Sequence, residues 1–312
     1  MTDRIIGVDI SKACLDVFTL PEGRYRQFAN TTAGHREFLK SCCMEPVSRI
    51  VFEPTGSFHR AFEHAIQMAG LPASKVNPLQ ARRFAEADGT RAKTDKVDAR
   101  ALARMGRALD LPILTEICET TRILKELQVA RQGLIKDRTR ALNRQKHQTH
   151  PLLKRQTQVR IRQIRTQIET LDAEIKRLLD ADPELARQRD ILCSIPGLSD
   201  VSAAAILIEL PEIGTLARKK VASLAGLAPM TRQSGQWKGK AFIKGGRKHL
   251  RDALYMPALV ASRFNPDLKT KYNKLRDDGK PPKLALTALM RKLVELANTL
   301  IKADRKWTPK TP

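Results

Sequence analysis

The stretch RIIGVDISKACLDVFTLPEGRYRQFAN, residues 4–30, decides the fold of the first third of the chain. Its first part, RIIGVDI, is an apolar run that predicts a buried strand. CLDVFTL alternates in polarity and ends at the turn Pro21-Glu22-Gly23, and YRQFAN predicts a third strand. The stretch therefore predicts an antiparallel meander of three strands.

The segments after the meander alternate between helix and strand. SRIVFEP and LPASKVNP predict two further strands. Helices are predicted from about Thr32 to Cys43, over SFHRAFEHAIQMAG and over LQARRFAEA. The order βββαβαβα predicts a mixed sheet with helices packed on it, which is the order of a ribonuclease-H-like fold.

The charge of the chain points to a polyanionic partner. The 312 residues include 57 Lys and Arg against 33 Asp and Glu, a formal net charge of +24. Nucleic acid is the commonest partner of so basic a protein. Only 4% of residues are aromatic, so contacts to the nucleic-acid backbone are favoured over base stacking. No apolar run is long enough to span a bilayer, and the N-terminus lacks a signal-peptide layout, so a cytoplasmic, nucleoid-associated protein without a membrane partner is expected.

The chain divides into four predicted segments. Residues 1–115 form the mixed-sheet α/β domain, and residues 116–189 form a basic helical region. In that region a heptad seam predicts an antiparallel hairpin or a dimerising coiled coil, broken at His150-Pro151: Ile161, Ile164, Ile168, Leu171, Ile175 and Leu178. Its basic face contacts nucleic acid or is merely solvated. Residues 190–303 form a mostly helical C-terminal domain, and residues 304–312 form a tail, expected to be disordered from Trp307.

Four carboxylates in the first domain are candidate metal ligands. Asp9 lies inside an apolar strand, where an unpaired carboxylate is costly, and Glu53 ends a neighbouring strand just before Pro54. Asp95 and Asp98 are spaced i, i+3 on a helix that Thr94 could cap. Mg²⁺ or Mn²⁺ takes such hard oxygen ligands and supports phosphoryl transfer. Each acid taken alone could instead be a helix-dipole or solvated residue; the ordered set of four favours the metal.

A second candidate site lies in a glycine-rich basic loop of the C-terminal domain. Ser234 precedes Gly235, and six cations that could bind a phosphate follow or precede it: Arg232, Lys238, Lys240, Lys244, Arg247 and Lys248. From the residues alone, Ser-Gly favours a simple turn over a nucleophile.

The motifs GVDISK, VFEPTG and RAKTDKVDAR resemble the DEDD motifs of the IS110 insertion-sequence transposases, whose N-terminal domain is RuvC-like. The later segment AGLAPMTRQSGQWKGKAFIKGGRKHLR resembles the C-terminal transposase domain of that family, with its Ser-Gly motif. The resemblance covers nearly the whole chain, in order. It implies that Asp9, Glu53, Asp95 and Asp98 carry a metal site and that Ser234 carries the nucleophile.

The resemblance also implies a function. The expected protein is a transposase or recombinase that cuts and rejoins donor and target DNA through a serine nucleophile. An RNA encoded by the element would guide it, and it would act as a dimer or tetramer. Two alternatives remain at this point. One is a RuvC-like, structure-selective, metal-dependent endonuclease with no covalent intermediate, and the other is a non-catalytic protein that packages nucleic acid.

Overall fold

The computed structural model describes residues 3–90, 94–114 and 118–309, apart from the side chain of Lys238. It divides the chain into two compact units, the N-terminal unit Met1–Glu116 and the C-terminal unit Ile117–Pro312. The basic helical region and the C-terminal region therefore belong to the same compact unit.

The N-terminal unit is an α/β structure whose elements come in the predicted order. These are β1 (Ile5–Ile10), β2 (Cys14–Leu20), β3 (Arg24–Ala29), α1 (Thr32–Cys43), β4 (Arg49–Phe52), α2 (Arg60–Met68), β5 (Ala73–Lys75), α3 (Pro78–Ala87) and α4 (Asp95–Ala108).

The sheet of this unit is mixed, and the prediction of a mixed sheet is confirmed. Its strand order is β3-β2-β1-β4-β5. The first three strands pair antiparallel, and β4 and β5 join parallel to β1. Because β1 and β4 are parallel neighbours, their carboxyl ends lie at the same edge of the sheet.

One face of the sheet is covered by α1 and α2. Val8 and Phe52 from the strands pack with Phe38 of α1 and with Phe62 and Ile66 of α2. The three phenylalanine rings are stacked edge to face, with centroids 5.1 to 6.0 Å apart. Burying large side chains in this way supplies most of the stabilisation of a small sheet domain.

The other face is covered by α4, which approaches β1 very closely. A Cβ atom on Gly7 would lie 2.1 Å from the carbonyl oxygen of Ala99 and 2.4 Å from the nitrogen of Ala103. On the helix, a Cβ on Gly106 would be 2.6 Å from Val51 and 3.0 Å from Ile5. Small residues on both elements therefore fix where α4 lies on the sheet.

Among its described residues, the C-terminal unit has helices and one small two-stranded hairpin. Its elements are α5 (Glu119–Lys146), α6 (Pro151–Asp180), α7 (Pro183–Cys193), α8 (Asp200–Glu209), α9 (Arg218–Leu224), β6 (Gln233–Ser234), β7 (Trp237–Lys238), α10 (Lys248–Phe264), α11 (Pro266–Asp277) and α12 (Pro282–Lys302).

Helices α5 and α6 form an antiparallel hairpin. The break falls where His150-Pro151 predicted it, because His150 caps α6 through a bond from the nitrogen of Leu152 and Pro151 is its first residue. On the seam, Ile161, Ile164 and Ile168 are buried against α5. The seam then shifts, since Leu179 is fully buried where Leu178 is only partly so.

The core of the C-terminal unit joins the base of this hairpin to helices α7, α8, α10 and α12. Trp307 is attached to it, so the expectation of disorder is wrong at Trp307; residues 310–312 lie outside the described ones. Trp307 packs against the core, and its backbone N–H donates to the hydroxyl of Ser194 over 2.8 Å. A lone indole beside a helical core gains more from burial than the short tail loses in entropy. Among the described residues, no helix is long and apolar enough to cross a membrane.

Candidate active site

An open cleft of about 850 Å³ lies at the edge where β1 and β4 end. All four predicted carboxylates line it: Asp9 near the end of β1, Glu53 directly after β4, and Asp95 and Asp98 at the start of α4. Val8 of β1 is level with Phe52 of β4, so the next residues, Asp9 and Glu53, follow side by side. The fold thus collects residues that are 89 positions apart in the sequence.

The first turn of α4 brings its two acids to this edge for a local reason. As predicted, Thr94 caps the helix, accepting a hydrogen bond from the nitrogen of Val97 over 3.3 Å. The close packing of α4 on Gly7 then carries the first turn to the end of β1. The positive end of the helix dipole favours acids here, but the dipole alone does not explain why they share a cleft with Asp9 and Glu53.

The electrostatics of the cleft show how crowded its negative charge is. Burial, together with the carboxylates of Asp98, Asp95 and Glu53, raises the pKa of Asp9 from 3.8 to about 6. Like charges in a partly dry cleft destabilise each other unless a cation balances them. The cleft therefore favours a cation over an anion or a neutral ligand.

The four carboxylates are suitable ligands for a divalent ion, although their side chains are too far apart to bind one together. Carboxylate oxygens are the ligands that Mg²⁺ and Mn²⁺ prefer. Within residues 3–90, 94–114 and 118–309, however, no three Asp, Glu, His or Cys side chains stand close enough together to hold a metal ion as they are placed. Changes of side-chain rotamer would be needed to close the carboxylates on an ion.

A fifth carboxylate, Asp16, lies next to the cleft and was missed by the sequence analysis. It is opposite Asp9 in the β1–β2 register and only 2% exposed. The hydroxyl of Tyr25 and the amide of Gln27 donate to Asp16 Oδ1 over 2.5 and 3.0 Å, and this bond raises the pKa of Tyr25 to about 12. The predicted meander held the signal, because an antiparallel pairing that aligns the two strands brings Asp16 beside Asp9.

The walls of the cleft differ in character from its acidic floor. Phe58 and Leu79 expose 41% and 50% of their surface there. Lys12 and Arg82 also line it, and Arg82 pairs with Glu86 over 3.1 Å. The cationic side chains of the walls can contact phosphates, and the apolar ones can contact the rings of nucleotides. The cleft can therefore hold a nucleic-acid strand.

Ser234 lies in a small exposed hairpin of the C-terminal unit. It is the second residue of β6, pairs with Trp237 of β7, and is followed by Gly235 with a φ of 55°. That positive φ is readily adopted by glycine, which explains the Ser-Gly order. Ser234 is exposed, and in the described part of the chain its hydroxyl makes no hydrogen bond. Among the described side chains of the hairpin, none is therefore a general base bonded to Ser234.

The six cations predicted around Ser234 differ in their exposure and in whether they already pair with an acid. Lys240 and Lys244 are exposed, and the guanidinium of Arg232 lies over the ring of Phe242 at 5.0 Å. Lys248 is paired with Asp252 on the next turn. Arg247 holds Glu212 through two bonds of 2.6 and 2.7 Å and donates to the carbonyl of Glu209. The side chain of Lys238 lies outside the described ones.

Arg247 is thus committed to holding the loop in place. The Arg247 guanidinium keeps the pKa of Glu212 below its ordinary value, and the nitrogen of Arg247 donates to the carbonyl of Leu224. This ion pair anchors the C-terminal end of the basic loop to the helical core. Among the described side chains of the loop, Arg232, Lys240 and Lys244 are exposed cations without an ion pair.

Comparisons with known proteins show the family of the chain. Residues 6–155 match the family model described as "Transposase" for the IS110 DEDD group, and residues 189–273 match "Transposase IS116/IS110/IS902 family". The chain is 30% identical to the pilin gene-inverting protein of Moraxella bovis, over 98% of each protein. The chain belongs to the IS110 family of transposases. It is therefore an enzyme of DNA recombination.

Other relatives of this IS110-family transposase match over shorter ranges. An uncharacterized 43.6 kDa protein of the insertion element IS110 of Streptomyces coelicolor is 29% identical over 48% of this chain and 36% of its own length. A solved structure of T. thermophilus RuvC in complex with a Holliday junction substrate covers 36% of this chain and 99% of that chain, at 11% identity and a TM-score of 0.28.

Proposed function

We propose that this transposase cuts and rejoins DNA with Ser234 as the nucleophile and with Asp9, Glu53, Asp95 and Asp98 as the ligands of Mg²⁺ or Mn²⁺. The observation that supports the metal site most directly is the shared cleft of four carboxylates, where burial and then the repulsion of the neighbouring acids raise the pKa of Asp9 to about 6. A bound divalent ion would supply charge neutralisation and activation of a hydroxyl in phosphoryl transfer.

The chain's own residues would then divide the chemistry between them. The Ser234 hydroxyl attacks the phosphorus of a DNA phosphodiester, loses its proton, and forms a phosphoserine bond as the leaving strand departs with its hydroxyl. A hydroxyl of a second strand then attacks the same phosphorus and releases Ser234, which regains a proton. Lys240, Lys244 and Arg232 are positioned in the sequence to hold the phosphate during both steps. The exposure of Ser234 supports access by a large substrate.

We further propose that an RNA encoded by the element selects the donor and target DNA, and that the protein works as a dimer or tetramer at the nucleoid. The high positive charge, with exposed Arg and Lys along α5 and α6, supports an RNA partner. Because strand exchange joins several ends, more than one copy of Ser234 has to act together. The RuvC-like character of the N-terminal unit belongs to the same proposal.

Trapping a covalent adduct tests this function. Protein, element RNA and DNA carrying the element ends are incubated with Mg²⁺ and then denatured, and DNA bound to protein is sought. We expect an adduct that Ser234→Ala abolishes. Ser223→Ala serves as the control, because Ser223 lies in α9 of the same unit and outside the hairpin. Normal strand cutting by Ser234→Ala would favour the RuvC-like endonuclease without a covalent step.

A second variant separates both enzymes from a packaging protein. Asp9→Asn keeps the size of the side chain but removes a carboxylate from the cleft. We expect it to bind nucleic acid as the wild type does and to lose strand cutting by several orders of magnitude. Full recombination by Asp9→Asn would contradict any role of the cleft in the chemistry.

A further inference from the structure

One flank of the α5–α6 hairpin carries a repeating set of cross-helix pairs. On α5, Arg131 and Gln145 lie fourteen residues apart, and on α6 their partners Asp172 and Gln158 lie fourteen residues apart in the opposite direction. These two pairs fix the register of the antiparallel helices. Halfway between them, seven residues from each, Arg138 on α5 comes level with Arg165 on α6. A step of seven residues returns to the same face of a packed helix.

The pairs on either side of this level are complementary. Arg131 donates through Nε and Nη2 to the carboxylate of Asp172. Gln145 donates from its amide nitrogen to the amide oxygen of Gln158 over 2.8 Å. Each pair satisfies two polar groups at the helix interface and stabilises the hairpin.

The middle level is different, because it places two cations opposite each other. Within the described part of the chain, neither Arg138 nor Arg165 has an ion pair or a side-chain hydrogen bond. The acid nearest to Arg138 in sequence, Asp137, is paired with Arg140 at 3.3 Å. Glu169, one turn beyond Arg165, makes no ion pair with it. Among the described side chains, Arg138 and Arg165 thus have no acidic partner, whereas Arg131 pairs with Asp172.

Further positive charge surrounds this level. Arg162 is exposed one turn before Arg165 on α6, and Lys136 is exposed on α5. Between Arg131 and Arg165 the chain carries a single acid, Asp137. Towards the base of the hairpin, in contrast, cations are matched, as Arg177 is by Glu174 and Arg189 by Asp180. Positive charge without a counter-charge is therefore concentrated in the outer half of the hairpin.

We propose that Arg138 and Arg165 together bind a phosphate group of a nucleic-acid backbone. Two guanidiniums at the same level of the hairpin repel each other in the free protein and gain most from an anion bound between them. Each planar guanidinium can present two N–H groups to phosphate oxygens, which suits a phosphodiester better than a point charge would. Such a contact positions the backbone and does not select a sequence.

This inference deepens the proposed function, since it assumes that a nucleic acid contacts the hairpin. Both RNA and DNA carry the phosphodiester that the two arginines would bind. Seven residues away, the hairpin holds the ion pair between Arg131 and Asp172. An acid at position 138 or 165 could have formed the same kind of pair. A like-charge level costs the hairpin stability, whereas a bound phosphate would recover it.

The test is a binding titration on the full chain with short RNA and DNA duplexes of matched sequence. We expect the double variant Arg138→Gln plus Arg165→Gln to weaken binding of the duplex that the hairpin contacts by about tenfold or more, and to lower the slope of log K against log salt by about one. The control is Arg140→Gln plus Arg177→Gln, which removes two exposed but paired arginines from the same helices. A loss confined to the RNA duplex, or to the DNA duplex, identifies the source of the phosphate.

A second variant separates binding from folding. Arg165→Asp recreates, opposite Arg138, the ion pair seen between Arg131 and Asp172. We expect it to keep or raise the melting temperature while weakening duplex binding more than the double Gln variant does. Equal binding by Arg165→Asp and the wild type would overturn the proposal, and so would an equal loss in the Arg140 and Arg177 control. Formation of the Ser234 adduct is measured in parallel. Loss of duplex binding through Arg138 and Arg165 and loss of the serine mechanism then give different results.

Discussion

Asp9 occupies a position that costs the folded protein stability. Its carboxyl is half-buried, and Asp98, Asp95 and Glu53 surround it with like charge. Buried carboxylates of this kind are commonly kept for binding or chemistry. A cation bound in the cleft would attract the Asp9 carboxylate and outweigh this repulsion. Asp9 would then stabilise the metal-bound protein.

We therefore expect Asp9→Asn to stabilise the metal-free protein by about 1 kcal/mol at neutral pH, after allowing for screening by solvent. The folded pKa, about 6, exceeds the ordinary value of 3.8. Between these values the folded state binds more protons, so the wild type loses stability as the pH rises. The advantage of Asn should be absent below pH 3.8, grow up to about pH 6 and stay constant above it.

Chemical denaturation in a chelator, measured across this pH range, checks the prediction. Glu22→Gln, in the exposed turn between β2 and β3, should show no such trend. Adding Mg²⁺ should raise the melting temperature of the wild type more than that of Asp9→Asn. If the variant were less stable than the wild type above pH 6, the crowding of charge in the cleft would be refuted.

Gly7 is the second residue on which the cleft depends. We expect Gly7→Ala to destabilise the fold by about 3 kcal/mol or more, because its Cβ would overlap the backbone of α4 at 2.1 and 2.4 Å. Gly133→Ala is the matched control, since Gly133 lies inside α5 with nothing within 4 Å of the added atom. Removing a helical glycine there should stabilise by up to about 1 kcal/mol. Urea denaturation of both variants distinguishes the two effects.

At the scale of elements, the α5–α6 hairpin shows what periodicity can predict. The isoleucines spaced by threes and fours did form the buried seam, because a helix has few other ways to bury such a stripe. The hairpin form was one of two alternatives, and the contacts between Arg131 and Asp172 and between Gln145 and Gln158 show it within one chain. The shift from Leu178 to Leu179 at the base follows from packing against other helices.

The seam gives a direct prediction. Ile161 is 1% exposed, whereas Val159, two residues earlier, is 52% exposed. We expect Ile161→Ala to lower the free energy of unfolding by about 2 to 4 kcal/mol, because a cavity is left in the seam. Val159→Ala should change it by less than about 0.5 kcal/mol. Equal effects in a urea titration would show that the seam does not hold the hairpin together.

For the whole molecule, the charge of +24 is the dominant physical property. A protein that neutralises several phosphates releases the counterions of the nucleic acid, so its affinity falls steeply with salt. We expect binding to a non-specific DNA duplex to fall by about a thousandfold or more between about 50 and about 200 mM salt. Fluorescence anisotropy over that range checks this. An affinity that hardly changed would mean that the positive charge is not used for binding.

The order of strands and helices along the N-terminal unit and the ends of several helices follow from sequence because they depend on local signals. Thr94 caps α4 and Pro151 begins α6 whatever the rest of the chain does. The family motifs likewise named Asp9, Glu53, Asp95 and Asp98 as a set. What no local pattern could show is the partner each charged side chain finds once the chain has folded.

Only the tertiary structure fixed the register that pairs Asp16 with Asp9 and committed Arg247 to Glu212. The Arg131–Asp172 and Gln145–Gln158 pairs likewise set Arg138 level with Arg165. It also attached Trp307 to the helical core against expectation. The sequence by itself determined which residues are polar, apolar or helix-forming, since these are properties of single residues and their neighbours. Pairing depends on register and on close packing between distant segments, so it is decided only when those segments meet.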